Sequence, residues 1–246
     1  MGNNDSGDIP ARRGFLKQVA GGAVASGVAI VSPIQCRAQA DDTAMAATAG
    51  DVAPGYICFG PREAAFVETL VNTMCPADQF TPAGVDCGLA VFIDRQLAGD
   101  YGRGARRYMN GPWKQGKAEM GYQLPMTPQR FFFAGIEAVD AACQKQYGKA
   151  FDSLAPADAE AVLQAVSAGK LTHEELPLGA WFNELVYPLF TQACFADPIY
   201  GGNAGKVFWK LVGYPGLPAT HAIDVIQYRG KPFPGAKDPK SIADFS

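Results

Sequence analysis

Residues 127–143, TPQRFFFAGIEAVDAAC, carry the clearest secondary-structure pattern in the chain. Thr127 and Pro128 open the segment, and proline is favoured in the first turn of a helix. Apolar side chains then recur on one stripe at helical spacing, at Phe131, Phe132, Ile136, Val139 and Cys143. The pattern predicts a long helix that buries one face.

Further helices are predicted on both sides of this segment. They cover residues 61–75, 88–97, 154–166, 176–195 and 205–211. Pro188 should kink the segment at 176–195, because proline removes a helical hydrogen bond. No strands in a βαβ order and no repeats occur. We therefore predict a mainly α fold: a single helical domain with long ordered loops over 61–216, an irregular lead-in at 41–60 and an extended C-terminal tail at 217–246.

The first forty residues are typical of an export signal. Arg12 and Arg13 are followed by Phe15 and Leu16, then by a Gly- and Ala-rich apolar stretch at 19–31 and a cleavage site ending at Ala40. This predicts a cleaved twin-arginine signal peptide over 1–40. A membrane anchor is the alternative, but the stretch is well short of the ~20 residues that span a bilayer. The twin-arginine route exports folded cargo, so the chain either carries a cofactor or accompanies a protein that does.

The charge of the remaining chain argues against nucleic acid as a partner. Residues 41–246 contain 17 Lys and Arg and 22 Asp and Glu, which gives a net charge of −5. One short basic cluster, Arg103, Arg106 and Arg107, lies in a Gly-rich region at 100–129. No extended basic patch of the kind that binds nucleic acid is present, and no apolar segment of these residues is long enough to span a membrane.

Five cysteines remain once Cys36 is removed with the signal: Cys58, Cys75, Cys87, Cys143 and Cys194. An oxidising compartment allows disulfides. Cys75 and Cys87 flank a Pro/Gly loop and are the predicted disulfide. Because five is odd, at least one thiol stays unpaired within the chain. Cys194 precedes an aromatic turn segment, so we predict that it is the cysteine that bonds to another subunit.

Sequence motifs for cofactor binding are missing. Residues 201–207 resemble a phosphate-binding loop, but the spacing is one residue short and a valine replaces the Ser or Thr. The cysteines do not have the spacing of c-type haem, zinc or iron–sulfur sites. His173 and His221 are interpreted as solvated loop histidines. We therefore assign no catalytic, cofactor-binding or metal-binding residue to this chain.

Residues 195–203, FADPIYGGN, form the densest unusual segment. It could be a packed corner, because its turn residues need special backbone conformations. It could be a partner surface, because aromatic residues beside rigid turns suit the centre of an interface. An active site is disfavoured, since Asp197 is the only acid–base group. The residues of the candidate interface are Cys194, Phe195, Asp197, Tyr200, Gly201, Gly202, Asn203, Trp209 and Tyr214.

The same segment, with Trp209 and the Gly-Tyr-Pro-Gly run at 213–216, resembles the gluconate 2-dehydrogenase subunit 3 family. Residues 76–78, 84–85 and 93–94 are also similar, so the resemblance covers most of 61–216. It implies a complex in which an FAD-containing subunit oxidises the substrate and a multihaem cytochrome c subunit passes electrons to ubiquinone. The small subunit would bind and stabilise the flavoprotein and supply the export signal, without a cofactor of its own.

The resemblance further implies a periplasmic complex on the cytoplasmic membrane, to which this chain attaches only through its partner. Gluconate is the implied substrate, and related subunits serve fructose, sorbitol, glucose or 2-ketogluconate dehydrogenases. Two other hypotheses stay open at this point. The chain could be an independent periplasmic cofactor-binding enzyme, or it could be a stand-alone scaffold.

Overall fold

The described part of the chain is helical, in a computed structural model that covers residues 55–114, 116–117, 120–217 and 221–246. The α-helices are α1 (Pro61–Met74), α2 (Leu89–Ala98), α3 (Asp100–Arg103), α4 (Pro128–Tyr147), α5 (Pro156–Ser167), α6 (Leu178–Ala180), α7 (Tyr187–Phe195), α8 (Val207–Val212) and α9 (Ala222–Gln227). These ranges contain no β-strand, which confirms the predicted mainly α fold. The predicted signal and residues 41–54 lie outside them.

Helix α4 begins where its sequence predicts and buries the predicted face, and it continues four residues past Cys143 to Tyr147. The Thr127 side chain accepts a hydrogen bond from the Arg130 amide at 3.3 Å and so caps the first turn. Gly148 ends the helix in a left-handed conformation, with φ at 67°. All five members of the predicted apolar stripe are buried. None of the helices in the described residues is both long and apolar enough to cross a membrane.

The end of the lead-in is fixed by one buried carboxylate. Asp94 on α2 accepts hydrogen bonds from the backbone amides of Ile57, Cys58 and Phe59, at 2.6, 2.8 and 2.9 Å. A carboxylate can stay buried when several N–H groups replace its water, and such charge-assisted bonds are stronger than neutral ones. The irregular segment before α1 is therefore held against α2 without secondary structure of its own.

The predicted distortion near Pro188 takes the form of a wider helical turn before the proline. Residues Trp181–Val186 form a π-helix that joins α6 to α7, and Pro188 lies in the first turn of α7. Proline lacks the amide that would bond to the carbonyl four residues earlier, and its ring crowds that carbonyl. A π-turn is a known way to absorb such a mismatch. The chain therefore keeps helical geometry through residue 195.

The predicted disulfide between Cys75 and Cys87 is absent from the structure. Both residues are free, buried thiols, and their sulfur atoms lie 3.9 Å and 3.6 Å from the carbonyl oxygen of Pro82. Burial raises the pKa of Cys87 to about 11. Each thiol is thus placed as a weak donor to the same carbonyl, and both fill the core as small apolar side chains.

The C-terminal tail differs from the predicted extended chain. It contains α9 and two 3-10 turns, Pro234–Lys237 and Ile242–Phe245. The Lys240 amide then donates to the Pro215 carbonyl at 3.0 Å, which returns the end of the chain to the helical domain. These turns are too short to produce a hydrophobic period, so the sequence pattern did not reveal them.

Candidate partner-binding surface

The Gly-Gly-Asn run forms a tight corner between α7 and α8. A Cβ atom on Gly202 would lie 2.4 Å from the Ala193 carbonyl oxygen, so only glycine fits there. Asn203 is fully buried with a left-handed backbone, at φ 49°. Its side-chain amide donates to the Ala196 carbonyl at 3.2 Å, and its oxygen accepts from the Phe208 amide at 3.0 Å. These residues shape the corner from inside.

Asp197 links this corner to the C-terminal tail through its two carboxylate oxygens. One carboxylate oxygen accepts from the Ile199 amide at 3.1 Å and caps the short turn Pro198–Tyr200. The other accepts from the Ile242 amide of the C-terminal tail at 2.9 Å. Because backbone N–H groups engage both oxygens, the arrangement is that of a structural link. This disfavours the interpretation of Asp197 as an acid–base catalyst.

Trp209 and Cys194 support the surface from beneath. Trp209 is buried, its indole N–H donates to the Phe195 carbonyl at 2.8 Å, and its ring contacts Tyr214 with centroids 5.2 Å apart. Cys194 is also buried, and burial raises the pKa of its thiol to about 12. A buried neutral thiol is a poor candidate for a bond to another subunit, so the predicted covalent link through Cys194 gains no support from its position.

Two of the predicted interface side chains are half exposed, Phe195 at 48% and Tyr200 at 51%. Five apolar side chains outside the predicted interface are also exposed in the same part of the fold. They are Ile199, Leu211, Val212, Ile242 and Phe245. Ile199 lies within the segment 195–203, so the sequence could have placed it in the candidate interface. Ile242 and Phe245 lie in the tail, and no local pattern connects them to the corner.

Two concave regions meet at Phe195, and together we call them the Phe195 groove. The first has a volume of about 440 Å³ and is lined by Phe195, Asp197, Trp209, Val212, Tyr214, Leu217 and Ile242. The second has a volume of about 480 Å³ and is lined by Phe92, Gln96, Gln192, Phe195, Ala196 and Tyr200. Aromatic and aliphatic side chains dominate both linings. Such a groove suits apolar side chains of a protein partner better than it suits acid–base chemistry.

The two histidines lie away from this groove. His221 is not solvated as predicted, because 15% of its side chain is exposed and its ring packs against Phe233. Its Nδ1 atom lies 2.9 Å from an Asp224 oxygen. His173 is exposed and accepts a hydrogen bond from the Glu175 amide at 3.2 Å. The part of the chain that the structure describes holds no group of three His, Cys, Asp or Glu side chains placed to bind a metal ion.

These features define a helical protein with an apolar groove beside the corner at residues 201–203. The family model described as gluconate 2-dehydrogenase subunit 3 matches residues 61–216, well over half of the chain. The chain therefore belongs to the gluconate 2-dehydrogenase subunit 3 family. Comparisons with curated proteins and with solved structures find no match. The matched range begins with α1 and ends at Gly216, so the C-terminal tail lies beyond it.

Proposed function

We propose that this chain is the small accessory subunit of a periplasmic dehydrogenase complex that oxidises gluconate to 2-ketogluconate, or a related sugar acid or polyol. It binds an FAD-containing dehydrogenase subunit through the Phe195 groove and stabilises that subunit. The observation that carries this proposal is the groove itself, a half-exposed aromatic surface held by a rigid buried corner, in a chain whose family is named for one subunit of a dehydrogenase.

The proposed complex follows the family resemblance. FAD belongs to the large subunit, and haem c belongs to a multihaem cytochrome c subunit that attaches the complex to the cytoplasmic membrane. The twin arginine at 12–13, with Phe15 and Leu16, supports export to the periplasm in folded form. A chain that leaves the cytoplasm folded can carry its bound flavoprotein with it, which explains why the export signal would reside on the small subunit.

The substrate has close alternatives. An equivalent subunit would bind and stabilise the flavoprotein in fructose, sorbitol, glucose and 2-ketogluconate dehydrogenases. An independent enzyme is the less favoured hypothesis, because both oxygens of Asp197, the only carboxylate that lines the groove, are bound by backbone amides. Dye-linked oxidation of each sugar acid or polyol by the assembled complex identifies the substrate.

Co-expression with the FAD-containing and cytochrome subunits tests the proposal. The parent chain should co-purify with the flavoprotein in equal amounts, and by itself it should show no flavin or haem absorbance. The double variant Phe195→Ser, Tyr200→Ser should bind the flavoprotein roughly 100-fold more weakly or worse, because aromatic side chains at the centre of an interface dominate its affinity. Affinity is measured by titrating purified flavoprotein onto the immobilised chain.

Tyr187→Ser is the matched control, since Tyr187 is 53% exposed but does not line the groove. This variant should bind like the parent. Unchanged binding of the double variant would show that the groove is not the interface. Flavin, haem or metal bound in equal amount to the chain purified alone would instead favour an independent enzyme.

A further inference from the structure

A basic segment at residues 101–117, which begins in α3 and which we call the basic loop, interrupts an otherwise acidic chain. Its sequence YGRGARRYMNGPWKQGK contains five basic and no acidic side chains. The rest of residues 41–246 contains the remaining 12 basic and all 22 acidic side chains, a net charge of −10. The contrast makes this loop the strongest concentration of positive charge after the first forty residues.

Two of the loop's cations hold its base to the helical domain. The Arg107 guanidinium lies 3.7 Å from the centre of the Tyr122 ring and donates to the Tyr122 carbonyl at 2.6 Å. The Tyr122 ring in turn contacts Phe131 of α4, with centroids 4.5 Å apart. Arg103 pairs with Asp100 at 2.5 Å. These contacts attach the loop to the surface of the helical domain.

The other three cations face solvent. Arg106, Lys114 and Lys117 are exposed, and none of them forms an ion pair with a described residue. Tyr108 is 76% exposed beside them, and Met120, just beyond the loop, is 63% exposed. Residues 101–117 contain no carboxylate, and Asp100 and Glu119 are the nearest ones in the sequence. Within this run, exposed cations interleaved with an aromatic side chain are the composition of a surface that meets lipid headgroups.

We propose that the basic loop binds anionic phospholipid headgroups at the surface of the membrane. This inference rests on the proposed function, in which the complex sits at the cytoplasmic membrane, and it adds a direct contact to the attachment through the cytochrome. Separated, exposed point charges match a diffuse anionic plane, and each contributes to binding at such a surface. The shaped recess that a protein partner needs lies at the Phe195 groove, whose lining includes none of the loop residues.

Vesicle sedimentation of the purified full chain tests the proposal. The parent should bind vesicles of equal parts phosphatidylglycerol and phosphatidylcholine, and should not bind vesicles of phosphatidylcholine alone. The triple variant Arg106→Gln, Lys114→Gln and Lys117→Gln should bind the anionic vesicles roughly 100-fold more weakly. High salt should release the parent, because surface charges are screened beyond a Debye length of about 3 Å at 1 M.

The control is the triple variant Lys145→Gln, Lys149→Gln and Lys170→Gln, which removes the same charge from exposed positions outside the loop. Both variants keep the N-terminal arginines, so any binding by those residues cancels in the comparison. Equal binding by the two variants would overturn the proposal.

Loss of binding to the flavoprotein by the loop variant, with vesicle binding unchanged, would also overturn the proposal and identify the occupant as an acidic protein surface. The vesicle assay uses the chain alone. Its failure is therefore distinct from a failure of the Phe195 groove to bind the flavoprotein.

Discussion

Lys206 has a left-handed backbone, with φ at 59°, and its side chain reaches the C-terminal tail. The ammonium group donates to the Pro239 carbonyl at 2.9 Å and pairs with the Asp244 carboxylate. The same carboxylate accepts hydrogen bonds from the amide and hydroxyl of Ser241, at 2.6 and 3.0 Å. A left-handed conformation is unfavourable for a lysine, so these contacts offset a local cost and attach the tail to the start of α8.

This attachment should depend on pH. The hydrogen bond from Lys206 is the largest cause that lowers the pKa of Asp244 below its ordinary value. A carboxylate with a depressed pKa stabilises the attached form fully above its unfolded pKa of about 3.9, and the effect is lost as the pH falls through the lower, folded value. Asp244→Asn should therefore release the tail at neutral pH, seen as several-fold faster hydrogen exchange at residues 238–246.

Asp238→Asn is the matched control for this experiment. Asp238 pairs with Lys240 inside the tail, so its loss leaves the link between Asp244 and Lys206 in place. Its exchange at neutral pH should equal that of the parent. Protection that survives the Asp244 substitution would contradict the assigned role of this carboxylate.

At the scale of elements, the close packing of α4 against the π-helix depends on Gly135, which leaves room for the Trp181 indole. A Cβ atom on Gly135 would lie 2.1 Å from the indole nitrogen of Trp181. That indole N–H donates to the Phe132 carbonyl at 3.1 Å, and Trp181 is fully buried. Alanine is normally better than glycine inside a helix by about 1 kcal/mol. Here the close approach of the tryptophan requires glycine.

Gly135→Ala should lower the free energy of unfolding by about 2 kcal/mol or more, because the added methyl group overpacks the core. The measurement is urea unfolding followed by circular dichroism. Gly179→Ala is the control, since the nearest atom to its added Cβ would be at an ordinary 3.5 Å. That variant should be neutral or slightly more stable. An unchanged midpoint for Gly135→Ala would refute the packing of α4 against Trp181.

Most helices that could be predicted from the sequence have enough turns to show a hydrophobic period, although the six-residue α8 was also predicted, at 205–211. The segments predicted at 61–75 and 88–97 lie within a residue of the observed α1 and α2. Helix α9 was missed because it has only six residues and none of them is buried, so it has no apolar face long enough to form a recognisable stripe. The sequence predicted a kink at Pro188 but not its form, the π-helix at Trp181–Val186. Steric crowding around a proline leaves no hydrophobic period that would indicate a π-helix.

At the scale of the whole molecule, the proposed export in folded form predicts that this chain determines the location of its partner. Replacing Arg12→Lys and Arg13→Lys should keep both this chain and the FAD-containing subunit in the cytoplasm, because the twin arginine is the recognised feature of the signal. Cell fractionation and immunoblotting of both subunits measure the result. Arg37→Lys, a conservative change near the proposed cleavage site, should leave export intact.

Delivery of the flavoprotein to the periplasm at the parent level, despite the double substitution, would show that another signal carries the complex. The chain would then bind its partner without supplying the route. Under the proposed function, co-purification of the two subunits depends on the Phe195 groove and not on the first forty residues, so it should persist in the double variant.

Short-range sequence patterns determined three features of this protein. Apolar periodicity predicted the helices, Gly and Pro residues predicted the corner at 201–203, and the aromatic segment indicated where the candidate surface lies. The fold alone decided which of those residues reach solvent. Phe195 and Tyr200 do, whereas Asn203 and Trp209 are buried as supports. Exposure and concavity come from contacts between distant residues, such as the bond from Ile242 to Asp197 across 45 positions. No short-range pattern encodes such a contact.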